Sequence, residues 1–289
     1  MPSDRSPFAR TAIAVLVIAV ALGGLAYAAR YAYLRITATA PPPPGCQFGP
    51  TAASTDLDTD QAAIASLIAG VATRRHLPEQ ALTIALATAM QESQLENLPY
   101  GDRDSLGVFQ QRPSQGWGTP AEIENPIYAT TRFFEALVQV PRYLKIPLAQ
   151  AAQDVQHSAD GSAYETQAYV AGLLAGYLTG APARQVTCWY TPTPGQRADI
   201  SAAREGLVQT FGPAGRDDIV VRDTTASSDQ MLVKAQPADT WTVAAWLVTH
   251  AQQYRIDEVR YAGYQWEAAD GSMGWQRDPG RSSNTVVAG

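Results

Sequence analysis

The sequence predicts a mainly α-helical domain, preceded by an apolar N-terminal segment and followed by a small α+β module. Three observations carry this prediction. Apolar residues recur at helical spacings of three and four through most of residues 56–190. Residues 11–29 contain no charged side chain. After Cys188 the chain changes to short apolar runs separated by Pro, Gly and Asp, which is typical of strands and turns.

The N-terminal apolar segment, residues 11–29, is nineteen residues long and has Arg residues on both sides. That length is enough for a helix to span a bilayer. A cleaved secretory signal is the alternative, because residues 26–28 read Ala-Tyr-Ala, although the apolar run exceeds the usual signal core. We expect residues 1–10 in the cytoplasm, a single-pass anchor in the cell membrane and an exported remainder, with a secreted form as the other possibility.

Residues 30–55 follow as a linker, with four consecutive prolines at residues 41–44. Such a run is extended and semi-rigid, so it would hold the next domain away from the membrane. A second linker, residues 191–197, contains the string Thr-Pro-Thr-Pro-Gly. It would separate the helical domain, residues 56–190, from the α+β module, residues 198–289.

Composition supports a folded, exported protein. The chain has 289 residues, and its 46% hydrophobic content can furnish a sizeable core. Beyond the first 35 residues there are 17 basic and 26 acidic residues, a net charge of −9. No clustered basic face is expected, so nucleic acid is excluded as a partner. Membrane contact is expected through the N-terminal helix alone.

Within the helical domain, apolar stripes predict helices around residues 64–71, 78–90, 127–138, 148–158 and 164–178. Asn125-Pro126 is a typical cap and first-turn proline for the third of these. Between Glu92 and Asn125 lies a long polar segment with no helical period, and long ordered loops of this kind are commonly functional. Glu92 itself ends a buried helix. Apolar surroundings favour the protonated form of a carboxyl, as general-acid cleavage of a glycosidic bond requires.

The pair Glu92-Ser93 and residues 107–110, Gly-Val-Phe-Gln, resemble the Glu-Ser and Gly-Leu-Met-Gln motifs of lysozyme-like lytic transglycosylases. The longer stretch 91–119 resembles a branch of bacterial wall-associated proteins in that superfamily. A weaker likeness extends over residues 56–190, through residues 153–156 and Ala163-Tyr164. The resemblance implies a lysozyme-like fold and a peptidoglycan substrate.

The resemblance further implies cleavage of the bond between N-acetylmuramic acid and N-acetylglucosamine. In a lytic transglycosylase, Glu92 would protonate the glycosidic oxygen and then take the proton of the muramic acid C6 hydroxyl, which closes a 1,6-anhydro ring. A hydrolytic lysozyme is one alternative, and a non-catalytic wall-binding scaffold is another. The hydrolase needs a second carboxylate to activate water or to stabilise the oxocarbenium ion.

Asp102 and Asp104 are the candidates for that second carboxylate. Both also suit a turn, since Asp side chains bond nearby backbone N–H groups. We favour the turn for Asp104 and leave both roles open for Asp102. By resemblance, the positions that contact substrate or shape the cleft are Ser93, Ser105, Gly107, Gln110 and Gln111. Tyr100 and Trp117 could stack on sugar faces, and packing in the core is the alternative for both. Residues 155–158 read Val-Gln-His-Ser where the family often has Ala-Tyr-Asn, so the far wall of the cleft departs from the family pattern.

Cys46 and Cys188 bracket the helical domain. In an exported protein we expect them to form a disulfide, and two separately buried thiols are the alternative. The three scattered histidines have no metal-binding spacing, so neither a metal nor a cofactor is predicted.

In the C-terminal module we expect strands at residues 218–221 and 231–235, a helix at residues 240–254, and a hairpin of residues 259–266 with 273–276 that turns at Asp270-Gly271. Four aromatic residues of the module, which could bind glycan or an envelope protein or simply pack in a core, are Tyr261, Tyr264, Trp266 and Trp275.

Overall fold

The computed structural model describes residues 18–33, 43–157, 161–192, 195–212, 219–223, 230–279 and 284–289. The chain divides into two compact units, residues 1–43 and residues 44–289. In the first unit, residues 18–33 form helix α1. The first seven residues of the predicted anchor, 11–17, lie outside the described residues. Within the described ranges, no helix is both long enough and apolar enough to cross a membrane.

The second unit contains helices and antiparallel strands. Its helices are α2 (Thr59–Arg74), α3 (Glu79–Ser93), α4 (Pro120–Ile123), α5 (Pro126–Leu137), α6 (Leu148–Gln156), α7 (Ser162–Glu165), α8 (Ala168–Thr179), α9 (Ile200–Phe211), α10 (Thr240–Thr249) and α11 (Ala251–Tyr254). Its strands are β1 (Gly45–Phe48), β2 (Thr55–Leu57), β3 (Val186–Trp189), β4 (Ile219–Asp223), β5 (Met231–Ala235), β6 (Glu258–Tyr261), β7 (Tyr264–Glu267), β8 (Gln276–Arg277) and β9 (Val286–Ala288).

Helix α2 begins with a capping box. The carboxylate of Asp58 accepts from the backbone N–H of Gln61 at 2.8 Å, and the Gln61 side chain accepts from the Asp58 N–H at 3.1 Å. Residues 65–72 of this helix are all buried, which means that it is covered on every side. Helices α3, α5, α8, α9 and α10 pack around it. Helix α2 is therefore the centre of the unit.

The two helices next to the candidate site begin and end close to where the sequence predicts. Helix α3 follows Pro78 and buries Leu82 and Leu86, and Glu92 is its second-last residue. Helix α5 begins at Pro126, and the Asn125 side chain caps it by accepting two backbone N–H groups, as predicted. The local signals in the sequence therefore place both ends of the polar segment correctly.

Strand β1 lies between β2 and β3 in a three-stranded antiparallel sheet. Cys46 on β1 is directly opposite Cys188 on β3, and the two form a disulfide, which confirms that prediction. Both cysteines are buried. The bridge joins positions 142 residues apart, so it connects the first strand of the unit to the end of its helical region.

A second antiparallel sheet has, among the described residues, six strands in the order β4-β5-β9-β6-β7-β8. Its β6–β7 hairpin turns at Ala262-Gly263, where both residues have positive φ, as a type I′ turn requires. The hairpin predicted to turn at Asp270-Gly271 is present as the β7–β8 pair, in which Tyr264 is opposite Arg277 and Gln265 is opposite Gln276. Residues 259–266, predicted as one strand, instead form β6, a turn and most of β7. Gly271 begins a short 3-10 helix in the β7–β8 connection, and its α-carbon lies against the backbone of Cys188, where an added Cβ would be 1.8 Å from the carbonyl oxygen.

The C-terminal segment shares one core with the helical region. Helix α10 packs against α2, where the hydroxyls of Ser66 and Thr249 lie 2.6 Å apart in a buried hydrogen bond. The indole N–H of Trp266, fully buried, donates to the carbonyl of Cys188 at 3.0 Å. The unit is therefore a mixed helix-and-sheet structure with small antiparallel sheets, rather than a helical domain carrying a detached α+β module.

The disulfide predicts a defined loss of stability. In a Cys188→Ser protein the unfolded chain regains the freedom that the bridge removes, so the free energy of unfolding should fall by about 2–5 kcal/mol. Urea unfolding of the oxidised wild type and of the variant measures this difference, and the reduced wild type is the control that should resemble the variant. An unchanged unfolding midpoint in Cys188→Ser would contradict the stabilising role.

The buried imidazole of His250 predicts a pH dependence. It stacks on Trp246 with a ring separation of 4.0 Å, and burial lowers the pKa of His250 to about 4 against an opposing hydrogen bond to the Trp246 carbonyl. Between pH 6.5 and 4 the unfolded chain therefore binds a proton at this residue that the folded chain does not, so stability falls as the pH falls. The contribution lost between pH 7 and pH 4.5 should be about 2–3 kcal/mol.

Urea unfolding of the wild type and of His250→Phe at pH 7 and pH 4.5 tests this contribution, because phenylalanine keeps the stacked ring and does not titrate. The wild type should lose more stability than the variant over this interval. Equal losses in the two proteins would show that His250 has no part in the acid sensitivity.

Candidate functional site

Glu92 lies half-buried in the last turn of α3, at the point where the helix stops. The stop is made by Gln94 and Leu95, which have φ of 57° and 64°, and the Leu95 N–H donates back to the Ala89 carbonyl at 3.2 Å. This is a left-handed helix ending of the kind that satisfies the last carbonyls. Because the Leu95 side chain is only 1% exposed, it anchors the start of the following loop in the core. The position of Glu92 is thereby fixed relative to that loop.

Two side chains from later elements converge on one oxygen of Glu92. The Tyr164 hydroxyl in α7 donates to Glu92 Oε1 at 2.6 Å, and the Gln156 amide at the end of α6 donates to the same oxygen at 3.2 Å. The Gln156 amide also donates to the Phe109 carbonyl at 2.7 Å, so its orientation is held by the loop. Phe109 stacks on Phe133 of α5, which fixes the loop in turn.

This arrangement distinguishes the two carboxyl oxygens of Glu92. Oε1 accepts both hydrogen bonds, so a proton on the neutral acid resides on Oε2. Among the described residues, no hydrogen bond reaches Oε2. When the acid has given up its proton, the same two donors stabilise the carboxylate. The geometry thus suits a group that first donates a proton from Oε2 and later accepts one.

Ser93 joins the end of α3 to the following loop. Its hydroxyl, which is buried, donates to the Val108 carbonyl at 2.7 Å and lies 3.1 Å from the Ala89 carbonyl. Of the two roles predicted for Ser93, substrate contact or cleft shaping, its burial favours the second, because the side chain holds the turn at Val108 and Phe109 beside Glu92.

The turn itself is held by a glycine and two glutamines. Gly107 has φ of 74°, and a Cβ there would lie 2.7 Å from the Ile123 carbonyl oxygen, so a side chain does not fit. The Gln110 amide donates to the Tyr100 and Gly107 carbonyls, each at 3.2 Å. Gln111 is 1% exposed and donates to the Ala129 carbonyl at 3.1 Å.

Of the predicted substrate contacts, Gly107, Gln111 and the buried Ser105 shape the loop rather than meet a ligand directly. Gln110 is half-buried and uses its amide N–H groups within the loop. Two aromatic candidates remain on the surface of this region. Tyr100 is 68% exposed, whereas Trp117 is half-buried against the core.

Neither aspartate of the loop is arranged as a partner of Glu92. The Asp104 carboxylate accepts from the Ser114 backbone N–H at 2.8 Å and from Arg112 Nε at 2.7 Å. The hydrogen bonds from Ser114, with those from Arg112, hold the pKa of Asp104 well below its usual range. Asp104 is therefore a turn residue, as favoured from the sequence.

Asp102 also lies in the turn. Its side chain is 91% exposed, and its nearest charged neighbour among the described residues is Arg103, with Nε 3.7 Å from the carboxylate. The Asp102 carbonyl accepts from the Ser105 N–H at 3.0 Å. Of the two roles left open for Asp102, the observed contacts favour the turn.

Sequence reasoning missed two residues that contact Glu92. Tyr164 fell within the weaker part of the resemblance, and Gln156 fell where the chain departs from the family motif, so neither was assigned a role. Both contacts join residues more than sixty positions apart, and no local pattern signals them.

In the described part of the chain, no cluster of three or more His, Cys, Asp or Glu residues could hold a metal ion. No protein-family model matches the chain, and a search of the curated proteins finds no match either.

Proposed function

We propose that this protein cleaves the glycan strands of peptidoglycan as a lytic transglycosylase, with Glu92 as both acid and base. The observation that carries the proposal is the asymmetry of the Glu92 carboxyl. One oxygen is held by Tyr164 and Gln156, and the other has no described partner. The motifs around residues 92 and 107–110 supply the substrate class, by their resemblance to this family.

In the proposed reaction, the proton on Glu92 Oε2 moves to the oxygen that links muramic acid C1 to the next sugar. The C1–O bond breaks and its electron pair stays with the departing sugar, which leaves as an alcohol. The Glu92 carboxylate then takes the proton of the muramic acid C6 hydroxyl, and O6 bonds to C1. Glu92 is protonated again at the end, and no water is consumed.

The proposal of a transglycosylase rather than a lysozyme rests on the state of the other carboxylates. A hydrolase of the lysozyme kind uses a second carboxylate across the scissile bond. Asp104 is occupied by Arg112 and Ser114, and Asp102 extends into solvent. Neither is arranged to activate water, so a single-carboxylate reaction fits the site better.

We also propose that the enzyme acts outside the cytoplasm, anchored through residues 11–29 and held off the membrane by the proline run at residues 41–44. The uncharged length of the first segment supports the anchor. The Cys46–Cys188 disulfide supports export, because such bridges form and persist in oxidising compartments. An envelope protein that binds the C-terminal sheet is a further part of this proposal.

The first test of the proposed activity is Glu92→Gln. The amide keeps the shape and can still accept the hydrogen bonds from Tyr164 and Gln156 through its oxygen, yet it can neither give nor take the catalytic proton. We expect release of soluble fragments from purified cell wall to fall by at least about 100-fold, with thermal unfolding unchanged.

Asp102→Asn is the matched control, because it removes a carboxylate from the same region and is expected to keep most of the wild-type rate. Wild-type activity in a folded Glu92→Gln protein would contradict the enzyme assignment and favour the scaffold. Near-total loss in Asp102→Asn would favour the two-carboxylate hydrolase instead.

A further inference from the structure

A second concave site lies on elements that do not carry Glu92. It has a volume of about 240 Å³ and is formed where the β1 end, the segment before β3 and the 3-10 helix at residues 271–273 meet. Its polar and aromatic lining includes Gln47, Arg184, Gln185 and Trp275. This volume is somewhat below the roughly 300–1,000 Å³ of drug-sized ligand sites, so it suits the end of a chain rather than a whole oligosaccharide.

Arg184 is held at the edge of this cavity. Its backbone has φ of 65°, a conformation that side-chain-bearing residues rarely adopt, and its guanidinium lies 4.1 Å from the centre of the Tyr264 ring. The ring therefore supports one face of the guanidinium. Among the described residues, no carboxylate pairs with Arg184, and no Asp or Glu lines the cavity. The planar array of N–H donors is available to an anion.

A second cation lies on the same side of the sheet. Arg277 on β8 is the register partner of Tyr264 on β7, and directly opposed residues of neighbouring strands project from the same face. Arg277 is exposed and has no described carboxylate partner either. Arg184 over the Tyr264 ring and Arg277 opposite Tyr264 in the sheet are thus two arginines without a described carboxylate partner, in a chain whose net charge is −6.

The other wall of the cavity is rigid and partly apolar. The Trp275 indole N–H donates to the Val186 carbonyl at 2.9 Å, and its ring packs edge-on against Trp241 with 5.3 Å between centroids. Trp241 packs in the same way against Tyr261 at 4.9 Å. A ligand in this cavity would contact the fixed Trp275 ring on one side and the Arg184 guanidinium on the other. That combination suits a carboxylate next to a small apolar group.

We infer that this cavity, which we call the Arg184 site, binds the free carboxylate end of a short peptide. We assign this carboxylate to the peptide that is attached to the glycan strands. This assignment of source rests on the proposed function, whereas the carboxylate chemistry does not. A second site of this kind would hold the wall while Glu92 acts on the glycan strand.

Titration calorimetry tests the inference with full-length Glu92→Gln protein, which cannot consume the ligand. The probes are a muramyl tetrapeptide that ends in a free D-alanine carboxylate and the same compound with an amidated end. We expect the free acid to bind at least about tenfold more tightly than the amide, because a bidentate arginine–carboxylate pair is lost in the amide. Equal binding of the two probes would overturn the inference without any variant of the site.

Arg184→Gln, introduced into the same protein, should remove that tenfold preference while leaving the melting temperature unchanged. Arg142→Gln is the matched control, because Arg142 is likewise exposed and has φ of 59° in a different loop. It should keep the preference. A preference that survives Arg184→Gln, or is lost equally in Arg142→Gln, would contradict the assignment to this site.

An all-L tetrapeptide with a free carboxylate separates the two sources of the ligand. Weaker binding of this peptide than of the muramyl peptide supports the wall as the source, and equal or tighter binding contradicts that source. The experiment does not depend on catalysis. If Glu92 proves not to be catalytic, the preference for the free carboxylate can still be measured. If that preference is missing, the result of the Glu92→Gln activity test is unaffected.

Discussion

Strand β3 contacts both the first strand of the compact unit and its C-terminal segment, and these contacts join the C-terminal segment to the helical region. On one edge it pairs with β1, where Cys188 is bonded to Cys46. Its other edge has no strand in the described sheet, and side chains of the C-terminal segment cover it instead. Trp275 and Trp266 donate to the Val186 and Cys188 carbonyls at 2.9 Å and 3.0 Å. An edge strand left open would expose unpaired backbone groups, so these contacts close it.

The contacts that cover the open edge of β3 affect both the Glu92 region and the Arg184 site. They draw the C-terminal sheet and α10 into the core, where α10 packs against the central helix α2. The close approach of Gly271 to Cys188 on β3 also sets Ser272 and Met273 at the cavity that Arg184 lines. The catalytic candidate depends on α2 less directly, through the packing of α2 against α3, the helix that presents Glu92. One arrangement of helices and strands thus supports two separate surface sites.

The residues around Glu92 are of two kinds: some hold the loop in place, and others contact the carboxyl group. Ser93, Gly107 and Gln111 are buried and hold the loop, so their part in the proposed reaction is through position. Tyr164 and Gln156 touch the carboxyl and decide which oxygen can carry the proton. The loop aspartates are excluded from that role by their contacts or their exposure. The proposed mechanism needs only one carboxylate, and the described surroundings of Glu92 provide one.

Local signals in the sequence predicted the helices well and the long-range contacts poorly. The proline before α3, the Asn125-Pro126 cap and the apolar stripes lie within a few residues of the structure they determine, so α3 and α5 could be placed. The disulfide followed from the predicted export and from having two cysteines. By contrast, Tyr164 is 72 residues and Gln156 is 64 residues from Glu92. No local pattern brings them together, because helix packing does so.

The C-terminal hairpins show the same limit of local signals. Asp270-Gly271 lies at the centre of the β7–β8 pair, as predicted, whereas the turn at Ala262-Gly263 was missed, because alanine rarely adopts the positive φ that this turn requires. The division into two domains followed from the Pro-rich string near residue 191, which describes the local chain and not the core. Burial of Trp246 and Trp266, each at 1% exposure or less, joins that core across the expected boundary.

Digestion of purified peptidoglycan in ¹⁸O-labelled water tests whether Glu92 acts without a hydrolytic water. Ring closure by the muramic acid C6 hydroxyl consumes no water. We therefore expect 1,6-anhydromuramic ends that contain no ¹⁸O and are lighter than reducing ends by one water, about 18 Da for the unlabelled compounds. Mass spectrometry of the released fragments measures both properties. Reducing muramic ends that carry one ¹⁸O atom would overturn the proposed mechanism and establish a hydrolase.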